Sequence, residues 1–359
     1  MKEKKLKVLV LADSRAFHTE RYVTELRRQG CHVLPASLEQ GEMHHYLLKS
    51  RGFISKLHYI MAATEVRGII RRFQPDIINP HYVSGYGFTV ALAGARRFAP
   101  VLLHLWGSDI LIVPGKSVFH RRKIVYGLNQ ADFVTADSDY LLQIARRISP
   151  FEASAVIPWG MEKRYLQYHK SDYAFSKPLK IIIPRRHEKI YNNLFIVQAL
   201  APLVNAGRVT LTFPDFGTLA GHFLVNARTL VGEKLNVYKK MDREDFLACT
   251  ARHDVYLSSA ISDSSPASMI EAMGLGLIPV AADIPGIKEW LTPDTGFVYE
   301  LYNGEQLRGI ITRLLERNDY LEKLRRDNLE KVKKQAVFED NITRTIEIMH
   351  RLAATRRRK

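Results

Sequence analysis

Asp263 and Glu271 are carboxylates separated by seven residues, around the start of a short stretch with helical apolar spacing. A strand-like apolar run at 255–257 precedes this stretch, and a second one follows at 277–282. The pattern predicts a strand, a loop, a helix and another strand in succession. Asp263 would lie in the loop and Glu271 one turn into the helix, where both can accept hydrogen bonds from hydroxyl groups. The segment therefore favours a site for a hydroxylated ligand such as a sugar nucleotide.

The beginning of the predicted helix offers groups that bind anions. Ser265 is a good N-cap residue, and Pro266 is a good first helical residue. The free backbone amides of Ala267, Ser268 and Met269 would face an anion, and the helix dipole favours negative charge there. The hydroxyl groups of Ser265 and Ser268 add further donors. An ordinary capped helix with a solvated carboxylate would show the same pattern.

The stretch resembles the signature of family 4 of the retaining glycosyltransferases, which have the two-domain GT-B architecture. That signature is a carboxylate, seven intervening residues and then Glu-Ala-Met-Ala-x-Gly-x-Pro-Val. Here Asp263 and seven residues are followed by Glu271-Ala272-Met273-Gly274-Leu275-Gly276-Leu277-Ile278-Pro279-Val280. The first position is usually Glu in the family, and Asp263 is one methylene shorter. The resemblance implies that Asp263 contacts the donor sugar and that Glu271 binds the donor ribose.

A second match follows the predicted strand at 179–183. Family members have Gly-Arg-x at this strand end and a lysine shortly after it, and both bind the donor diphosphate. Arg185 matches the arginine, and a guanidinium suits bidentate contact with phosphate. Lys189 is offset from the family's lysine, and Asn192 belongs to a Tyr-Asn pair found in one branch of the family. A cluster of exposed bases is the alternative interpretation of these residues.

Two strand ends in the first half of the chain also resemble the family. Trp106 begins Trp-Gly-Ser-Asp, where the family has His-Gly-x-Asp and its histidine touches the donor sugar. His81, at the end of the preceding strand, matches a histidine often found there, whereas His104 is either a substitute for the lost imidazole or a core residue. The catalytic candidates are therefore Asp263, Arg185, Trp106 and His81. His18 and Arg21 lie near the same cleft or are exposed at a helix start, and we favour exposure.

The length of 359 residues favours two domains. The resemblance implies an α/β fold of the GT-B type, with two Rossmann-like domains whose parallel sheets face each other across a cleft. Residues 1–165 would form the acceptor-binding domain and residues 166–339 the nucleotide-sugar-binding domain. A C-terminal helix at about 340–359 would pack back on the first domain. The first βαβ unit lacks a G-x-G-x-x-G loop, which argues against a nicotinamide or flavin enzyme.

The net charge of +16 suggests an anionic partner: nucleic acid, an acidic membrane surface or a small anionic substrate. A solvated basic surface is the alternative. Residues 42–73 are rich in bases that alternate with aromatic and aliphatic residues, which predicts one or two helices that can lie on an anionic bilayer. No nucleic-acid motif accompanies the charge. The two cysteines show no disulfide or metal spacing, and no apolar window is long enough to span a membrane, so we expect a cytoplasmic protein at the inner membrane face.

These features predict a retaining glycosyltransferase that moves a sugar from a UDP or GDP type donor to a glycan or lipid-linked acceptor. Assembly of a cell-surface polysaccharide, lipopolysaccharide or glycolipid is the expected setting. We expect no metal ion and no cofactor, because Arg185, Lys189 and helix amides would neutralise the leaving diphosphate. A sugar-nucleotide epimerase of the same fold, a basic nucleic-acid-binding protein and a non-catalytic family member are the alternatives. The oligomeric state is not predicted.

Overall fold

The computed structural model describes residues 5–39, 45–47, 56–170, 172–316 and 321–357. The chain divides into two compact units. The first unit comprises Met1–Trp159 and Glu339–Lys359, and the second comprises Gly160–Phe338. The first unit thus ends at Trp159, whereas the sequence analysis placed this boundary at residue 165.

The first unit is built on parallel strands, whose mostly apolar residues are buried because helices cover the sheet. The strands are β1 (Lys7–Leu11), β2 (His32–Ser37), β3 (His45–Tyr46), β4 (Ile77–Pro80), β5 (Leu102–His104), β6 (Phe133–Ala136) and β7 (Ser154–Val156). They are ordered β3-β2-β1-β4 and β5-β6-β7, and parallel bridges at Ile78–Val101 and His81–His104 bring β4 beside β5. The strand order therefore reverses between β1 and β4, which is where open α/β sheets bind ligands.

The helices of the first unit cover this sheet with amphipathic faces. They are α1 (Phe17–Arg28), α2 (Lys56–Phe73), α3 (Phe88–Leu92), α4 (Ser108–Leu111), α5 (Val118–Asn129) and α6 (Asp139–Ile148). In α1 the residues Tyr22, Val23 and Leu26 are buried on one face, as their spacing predicts. None of the helices in the described parts of the chain is both long enough and apolar enough to cross a bilayer.

The second unit contains a parallel sheet of the doubly wound type. Its strands are β8 (Leu179–Ile182), β9 (Val209–Pro214), β10 (Leu235–Tyr238), β11 (Val255–Ser258), β12 (Ile278–Ala282) and β13 (Phe297–Tyr299). They lie in the order β10-β9-β8-β11-β12-β13, so the order reverses between β8 and β11. The register pairs Val255 of β11 with Ile181 of β8, which brings the loops after both strands to the same edge of the sheet.

Helices surround the second sheet and complete its two apolar cores. They are α7 (Asn193–Asn205), α8 (Ala220–Val231), α9 (Arg243–Ala251), α10 (Ala267–Gly274), α11 (Gly304–Glu316) and α12 (Leu321–Gln335). The final helix, α13 (Phe338–Arg357), returns to the first unit. There the Asn341 side chain donates to the Pro158 carbonyl oxygen at 2.9 Å, and Thr343 Oγ1 donates to Gln29 Oε1 at 2.8 Å.

One local prediction was wrong. His45–Tyr46, in the stretch predicted as one or two helices, forms a strand that pairs with β2, because two residues of extended chain complete a sheet edge there. Helix α3 covers only five residues and is preceded by a π-helical turn at Tyr82–Gly87. Residues 40–44 and 48–55 lie outside the described part of the chain, so only residues 45–47 and α2 of the basic stretch can be placed.

A buried carboxylate ties the start of the second unit to its sheet. Asp254, immediately before β11, is fully buried, and its Oδ1 accepts from Lys170 Nζ at 3.0 Å. Its Oδ2 accepts from the backbone amides of Ser176 and Lys180 at 3.2 and 3.0 Å. Burial lowers the pKa of Lys170, and the charge of Asp254 opposes that effect. Asp254 thus anchors the segment that leads into β8.

Replacing Asp254 by alanine should lower the free energy of unfolding of the second unit by about 3–5 kcal/mol, because it leaves a largely buried ammonium group without its partner. Guanidinium denaturation followed by circular dichroism measures this change. The matched control is Asp294→Ala, which removes an exposed carboxylate and should change the free energy of unfolding by less than about 0.5 kcal/mol. Equal losses in the two variants would contradict the anchoring role.

Candidate functional site

The reversal of strand order in the second unit places Arg185 next to Asp263. Arg185 follows β8 and Asp263 follows β11, and these strands are neighbours in the sheet. The guanidinium Nη2 of Arg185 contacts the Asp263 Oδ2 atom in an ion pair, and the guanidinium also lies over the Tyr191 ring at 5.1 Å. The side chains of this pair are 16% and 18% exposed, so ligands from solvent can reach them. The structure therefore unites two of the four predicted catalytic residues.

The charge of Arg185 is maintained despite its burial. Burial by itself lowers the pKa of the guanidinium, but the neighbouring Asp263 carboxylate and two tyrosines outweigh this effect and raise it. The Nε atom of Arg185 is buried and finds no hydrogen-bond partner among the described residues. Asn193 donates to the Arg185 carbonyl oxygen at 2.8 Å and thereby holds the loop after β8. Arg185 therefore stays positively charged, and its Nε atom is a donor without an acceptor in the described residues.

Glu271 pairs with an arginine that the sequence analysis did not single out. Glu271 lies on α10 and is buried, and its Oε1 contacts Nη2 of Arg243 on α9. Burial lowers the pKa of Arg243, but Glu271 outweighs this effect and raises it. A carboxylate offers about four lone-pair positions, so Glu271 keeps capacity for a further donor. No local motif signals this pair, because it depends on how α9 lies against α10.

The start of α10 differs from the prediction. The helix begins at Ala267, and Pro266 rather than Ser265 is the N-cap residue, with no side-chain cap. The Met269 amide donates to the Pro266 carbonyl oxygen at 2.9 Å, so it is not one of the free amides that the sequence predicted, and its side chain is buried in the core. Proline in extended conformation delays the helix by one residue, so Ala267 and Ser268 lie in the first turn, before the helical hydrogen-bond ladder begins.

Two serines at this helix start have different surroundings. The Ser268 hydroxyl lies 3.1 Å from the Tyr256 hydroxyl. The Ser265 hydroxyl is buried and has no hydrogen-bond partner in the described part of the chain. Gly286, in the following loop, lies so close to the Asp263 carbonyl group that a Cβ atom there would overlap it. A residue without a side chain is therefore required at Gly286 to hold the loop that carries Asp263.

Lys189 and Asn192 line a different pocket from the one that Asp263 lines. Their pocket is open to solvent and also includes His187 and Phe223, whereas the pocket at Asp263 is lined mainly by residues of β11, β12 and the loops that follow these two strands. Asn192 has a left-handed backbone with φ of 49°. Its side-chain nitrogen, Nδ2, is buried and has no partner in the described residues. In the described ranges, no group of three or more His, Cys, Asp or Glu side chains is placed to hold a metal ion.

His81 and Trp106 come together at the switch point of the first unit. Their ring centroids are 5.9 Å apart, and His104 and Trp159 complete the group. The expectation that His18 and Arg21 are exposed was wrong. Arg21 is buried and donates from Nη2 to the Trp159 carbonyl oxygen at 3.2 Å, and His18 is half-buried and stacks on Trp159 at 4.9 Å. Trp159 was not predicted as a site residue, because its contacts with His81 and His104 join distant parts of the chain.

Asp109, the last residue of the Trp-Gly-Ser-Asp motif, holds the Trp106 loop from inside the fold. Its Oδ1 accepts from the Trp106 amide at 3.1 Å, and its Oδ2 accepts from the Val83 amide at 2.9 Å. Burial raises the pKa of this carboxyl from 3.8 to about 6, and the backbone hydrogen bonds only partly offset the effect. Asp109 therefore positions the Trp106 loop, and its ionisation lowers the free energy of unfolding.

Because the pKa of Asp109 is higher in the folded state than in the unfolded chain, the protonated carboxyl stabilises the fold. This contribution to the free energy of unfolding is fully present below about pH 4 and is lost as the pH rises through about 6. Between pH 4 and pH 7 the wild-type protein should lose about 2 kcal/mol of stability that Asp109→Asn does not lose. Denaturant unfolding at several pH values measures this difference. Asp139→Asn, which removes an exposed carboxylate of α6, should retain the wild-type pH dependence; identical profiles for Asp109→Asn and the wild type would contradict the assignment.

Two doubly wound α/β units, each with its candidate site at the reversal of strand order, define the GT-B class of glycosyltransferase folds. Comparison with family models agrees with this class. Residues 7–138 match the family described as "Glycosyl transferase 4-like", and residues 226–335 match "Glycosyl transferases group 1". The first match lies in the first unit and the second in the second unit. The chain belongs to the group 1 glycosyltransferases.

Two curated relatives are similar to parts of the chain. The TuaC glycosyltransferase of Bacillus subtilis, named for teichuronic acid biosynthesis, is 21% identical over 251 residues, which cover 68% of this chain and 62% of TuaC. An uncharacterised glycosyltransferase of Methanocaldococcus jannaschii is 26% identical over 175 residues, which cover 47% of this chain and 49% of that protein. The matched regions therefore span less than two thirds of the length of either relative.

Solved structures match almost the whole chain. A glycosyltransferase from Rickettsia africae has a TM-score of 0.79 and 16% identity, and the match covers 98% of this chain and 99% of that one. HepE of Anabaena, solved in complex with UDP and glucose, has a TM-score of 0.78 and 17% identity, with 97% and 100% covered. At these identities the likeness establishes the fold, which is the GT-B fold that the sequence analysis expected.

Proposed function

We propose that the protein transfers a sugar, with retention at the anomeric carbon, from a nucleoside diphosphate sugar to a glycan or lipid-linked acceptor. The observation that supports this most directly is the pairing of Arg185 with Asp263 beside the start of α10. A fixed cation and a helix start together bind a diphosphate, and a carboxylate beside them binds sugar hydroxyl groups. Membership of the glycosyltransferase family supports the same assignment.

In this proposal the Asp263 carboxylate pairs with the Arg185 guanidinium until the donor diphosphate binds there. The Asp263 carboxylate occupies Arg185 Nη2, while Arg185 Nε remains without a partner in the described residues. A diphosphate would compete for the guanidinium, because phosphate accepts two parallel N–H bonds from arginine. Asp263 would then be released to accept hydrogen bonds from sugar hydroxyl groups. The pair thus couples donor binding to the availability of the carboxylate.

The leaving diphosphate requires charge stabilisation as the glycosidic bond breaks. Arg185 and the backbone amides of Ala267 and Ser268 are the groups that we propose for this role, without a divalent ion. Glu271 is held by Arg243 and is assigned to binding the donor ribose. Asp263 and Glu271 are therefore not assigned as the acid and nucleophile of a glycosidase-type mechanism. UDP is the first nucleotide to test, since HepE was solved with UDP, and the name of TuaC supports a cell-surface polysaccharide acceptor.

Arg185→Ala should weaken UDP binding by about tenfold or more, because a charge-assisted hydrogen bond contributes about 1.5–3 kcal/mol. Thermal unfolding with UDP, GDP and their hexose conjugates, with and without EDTA, measures this loss against the unliganded melting temperature of each variant. Arg186→Ala is the matched control, since Arg186 is the adjacent arginine with a side chain that is 61% exposed, and it should keep the wild-type shift. A wild-type protein that no nucleotide stabilises would overturn the proposed function, and a shift that EDTA abolishes would overturn metal independence.

The first unit carries a surface suited to an anionic bilayer, and we include membrane association in the proposal. Exposed apolar side chains stand on α2 and on α5: Leu57, Ile60, Met61, Val118 and Phe119, which are 64, 44, 60, 68 and 58% exposed. Both helices pack against α3, so they lie on the same side of the sheet. Exposed bases flank the apolar residues of α5: Lys116, Arg121 and Arg122. Apolar side chains beside bases fit the interface of a bilayer with anionic headgroups.

Replacing both Val118 and Phe119 by aspartate should reduce sedimentation with phosphatidylglycerol-containing vesicles by about tenfold or more, since each apolar side chain contributes about 1.5–3 kcal/mol on burial. Binding of the wild type should fall as salt rises, because ions screen the attraction between bases and headgroups. Val225→Asp, at a site 67% exposed on α8 of the second unit, is the control and should bind normally. Binding that depends on neither anionic lipid nor salt would exclude this surface as a membrane site.

A further inference from the structure

A pocket of the second unit lies where α7 and α8 begin. We call it the asparagine pocket, because Asn192 and Asn193 line it together with Lys189, Leu219 and Phe223. Its volume is about 180 Å³. A single water molecule needs only roughly 10–15 Å³ of such space, so the asparagine pocket can hold a small ligand.

The asparagine pocket lies on the opposite face of the second sheet from the pocket at Asp263. Side chains alternate across a strand, so the neighbouring β8 residues Ile181 and Ile182 pack in two different apolar cores. Phe223 of the asparagine pocket belongs to the core of Ile181, to which α7 and α8 contribute. The pocket at Asp263 is instead lined by members of the core of Ile182. The two pockets are therefore separate sites.

The hydrogen-bond network determines which atom of the Asn193 side chain is unpaired. Burial lowers the pKa of His187, so its ring carries one proton at neutral pH. His187 Nε2 lies 2.7 Å from the Pro214 carbonyl oxygen, which can only accept, so the proton is on Nε2 and Nδ1 is an acceptor. Asn193 Nδ2 donates to His187 Nδ1 at 3.1 Å and to the Arg185 carbonyl oxygen at 2.8 Å. Both protons of this nitrogen are thereby used, and the Oδ1 atom of Asn193 is an acceptor that is buried without a partner in the described part of the chain.

Unpaired atoms of two neighbouring asparagines thus line one pocket. Asn193 is 5% exposed, and its Oδ1 needs a donor. The Nδ2 atom of Asn192 is also buried without a partner in the described residues, and it needs an acceptor. Folded proteins rarely leave buried polar atoms unpaired. The two asparagines therefore indicate a ligand that carries both an acceptor and a donor.

The surroundings of the two asparagines favour an anionic ligand. Helices α7 and α8, of 13 and 12 residues, both begin at the asparagine pocket, and neither has a side-chain cap. The free amides of a helix start and the helix dipole favour negative charge there. Lys189, which is exposed, adds a positive charge. Two helix starts, a lysine and the Asn192 amide together suit a phosphate group.

Glu188 also lines the asparagine pocket, but other groups balance its charge. Its Oε1 accepts from the Thr218 amide at 3.2 Å, and its Oε2 accepts from the Thr218 hydroxyl at 2.5 Å. The Arg186 Nε atom lies 3.6 Å from Glu188 Oε1. The hydrogen bonds from Thr218, with a smaller contribution from Arg186, lower the pKa of Glu188. Among the described residues no ion pair joins Glu188 to Lys189, so the lysine charge is available to a ligand.

We propose that the asparagine pocket binds a phosphate group, which accepts from Asn192 Nδ2, from Lys189 and from the first amides of α7 and α8. A hydroxyl group of the same ligand donates to Asn193 Oδ1. This hydroxyl belongs either to hydrogenphosphate itself or to the alcohol part of a small phosphate monoester, and the volume of the pocket accommodates both. The site is additional to the donor site of the proposed function, because neither Arg185 nor Asp263 is among the described residues that line it. It gives Lys189 and Asn192 a different role from the contact with the donor diphosphate that the family resemblance implied.

Isothermal titration with inorganic phosphate, glycerol 3-phosphate, glucose 1-phosphate and sulfate, with and without saturating UDP, tests the inference. Lys189→Ala should weaken phosphate binding by about tenfold or more, the loss of one charge-assisted hydrogen bond. Asn192→Gly removes the Nδ2 donor and suits the left-handed backbone at this position, and it should weaken binding by about two- to tenfold. Sulfate, which carries no hydroxyl group at neutral pH, should bind about tenfold more weakly than phosphate, because it leaves Asn193 Oδ1 unpaired.

Two further variants separate the asparagine pocket from other sites. Arg185→Ala keeps the backbone carbonyl oxygen that Asn193 contacts, so it should retain phosphate binding. Lys234→Ala is the matched control for the lysine, because Lys234 Nζ contacts the carbonyl oxygen of Asn205 at the end of α7 rather than its start. It should bind phosphate as the wild type does.

The outcomes identify the source of the phosphate and keep the two proposals apart. Tighter binding of the monoesters assigns the hydroxyl group to their alcohol part, and equal or tighter binding of inorganic phosphate assigns it to hydrogenphosphate; either result, with the losses in both variants, supports the inference. Wild-type affinity in Lys189→Ala and Asn192→Gly, equal affinity for sulfate, or displacement by UDP would overturn it. No binding of any phosphate would also overturn it and would mean that water satisfies the two asparagines. Failure to bind UDP counts against the proposed function alone, since the titration without UDP still tests this pocket.

Discussion

The reversal of strand order within each parallel sheet is the constraint on which both candidate sites depend. On the two sides of a reversal, helices leave the sheet toward opposite faces, and the loops after the neighbouring strands separate to leave a crevice. In the second unit this crevice lies between β8 and β11 and receives Arg185 and Asp263. In the first unit it lies between β1 and β4, beside His81. Arg185 and Asp263 would not meet if the strands of the second sheet were ordered as they occur in the chain.

Three ion pairs neutralise buried or partly buried charges in the second unit, and one of them forms the candidate site. Asp254 neutralises Lys170, Glu271 neutralises Arg243, and Asp263 neutralises Arg185. An unpaired charge in these positions would be costly, because water cannot solvate it there. The Asp263 carboxylate of the Arg185 pair is 18% exposed, whereas the Asp254 carboxylate is fully buried. The proposed donor would therefore displace the carboxylate at Arg185, whereas the pair at Asp254 serves to hold the fold together.

The first unit differs from the second, because the polar groups near its switch point are neutral rather than charged. His81 and His104 are kept neutral by burial, and Asp109 holds the Trp106 loop through backbone amides. The two units thus present different chemistry at equivalent positions of similar sheets. The charged site of the second unit fits the anionic nucleotide of the proposed function. In the second unit, Gly286 shows how closely the loop after β12 packs against the loop that carries Asp263.

The sequence by itself indicated many of the strands and helices, because buried parallel strands and amphipathic helices leave strong local periodicity. The α/β class and the GT-B fold were expected from the resemblance of its motifs to family 4 of the retaining glycosyltransferases. It also indicated Arg185, Asp263, Glu271 and Trp106 as residues at strand ends or helix starts. Short segments were less predictable. His45–Tyr46 forms a strand because it pairs with β2.

Only the tertiary structure decided which side chains meet. The contact of Arg243 with Glu271 and the stacking of His18 on Trp159 both join different segments of the chain. The displaced start of α10 likewise followed from the backbone geometry at Pro266 rather than from residue preference. Local sequence sets the conformation of each segment, but partner choice depends on packing between segments, which no single stretch encodes.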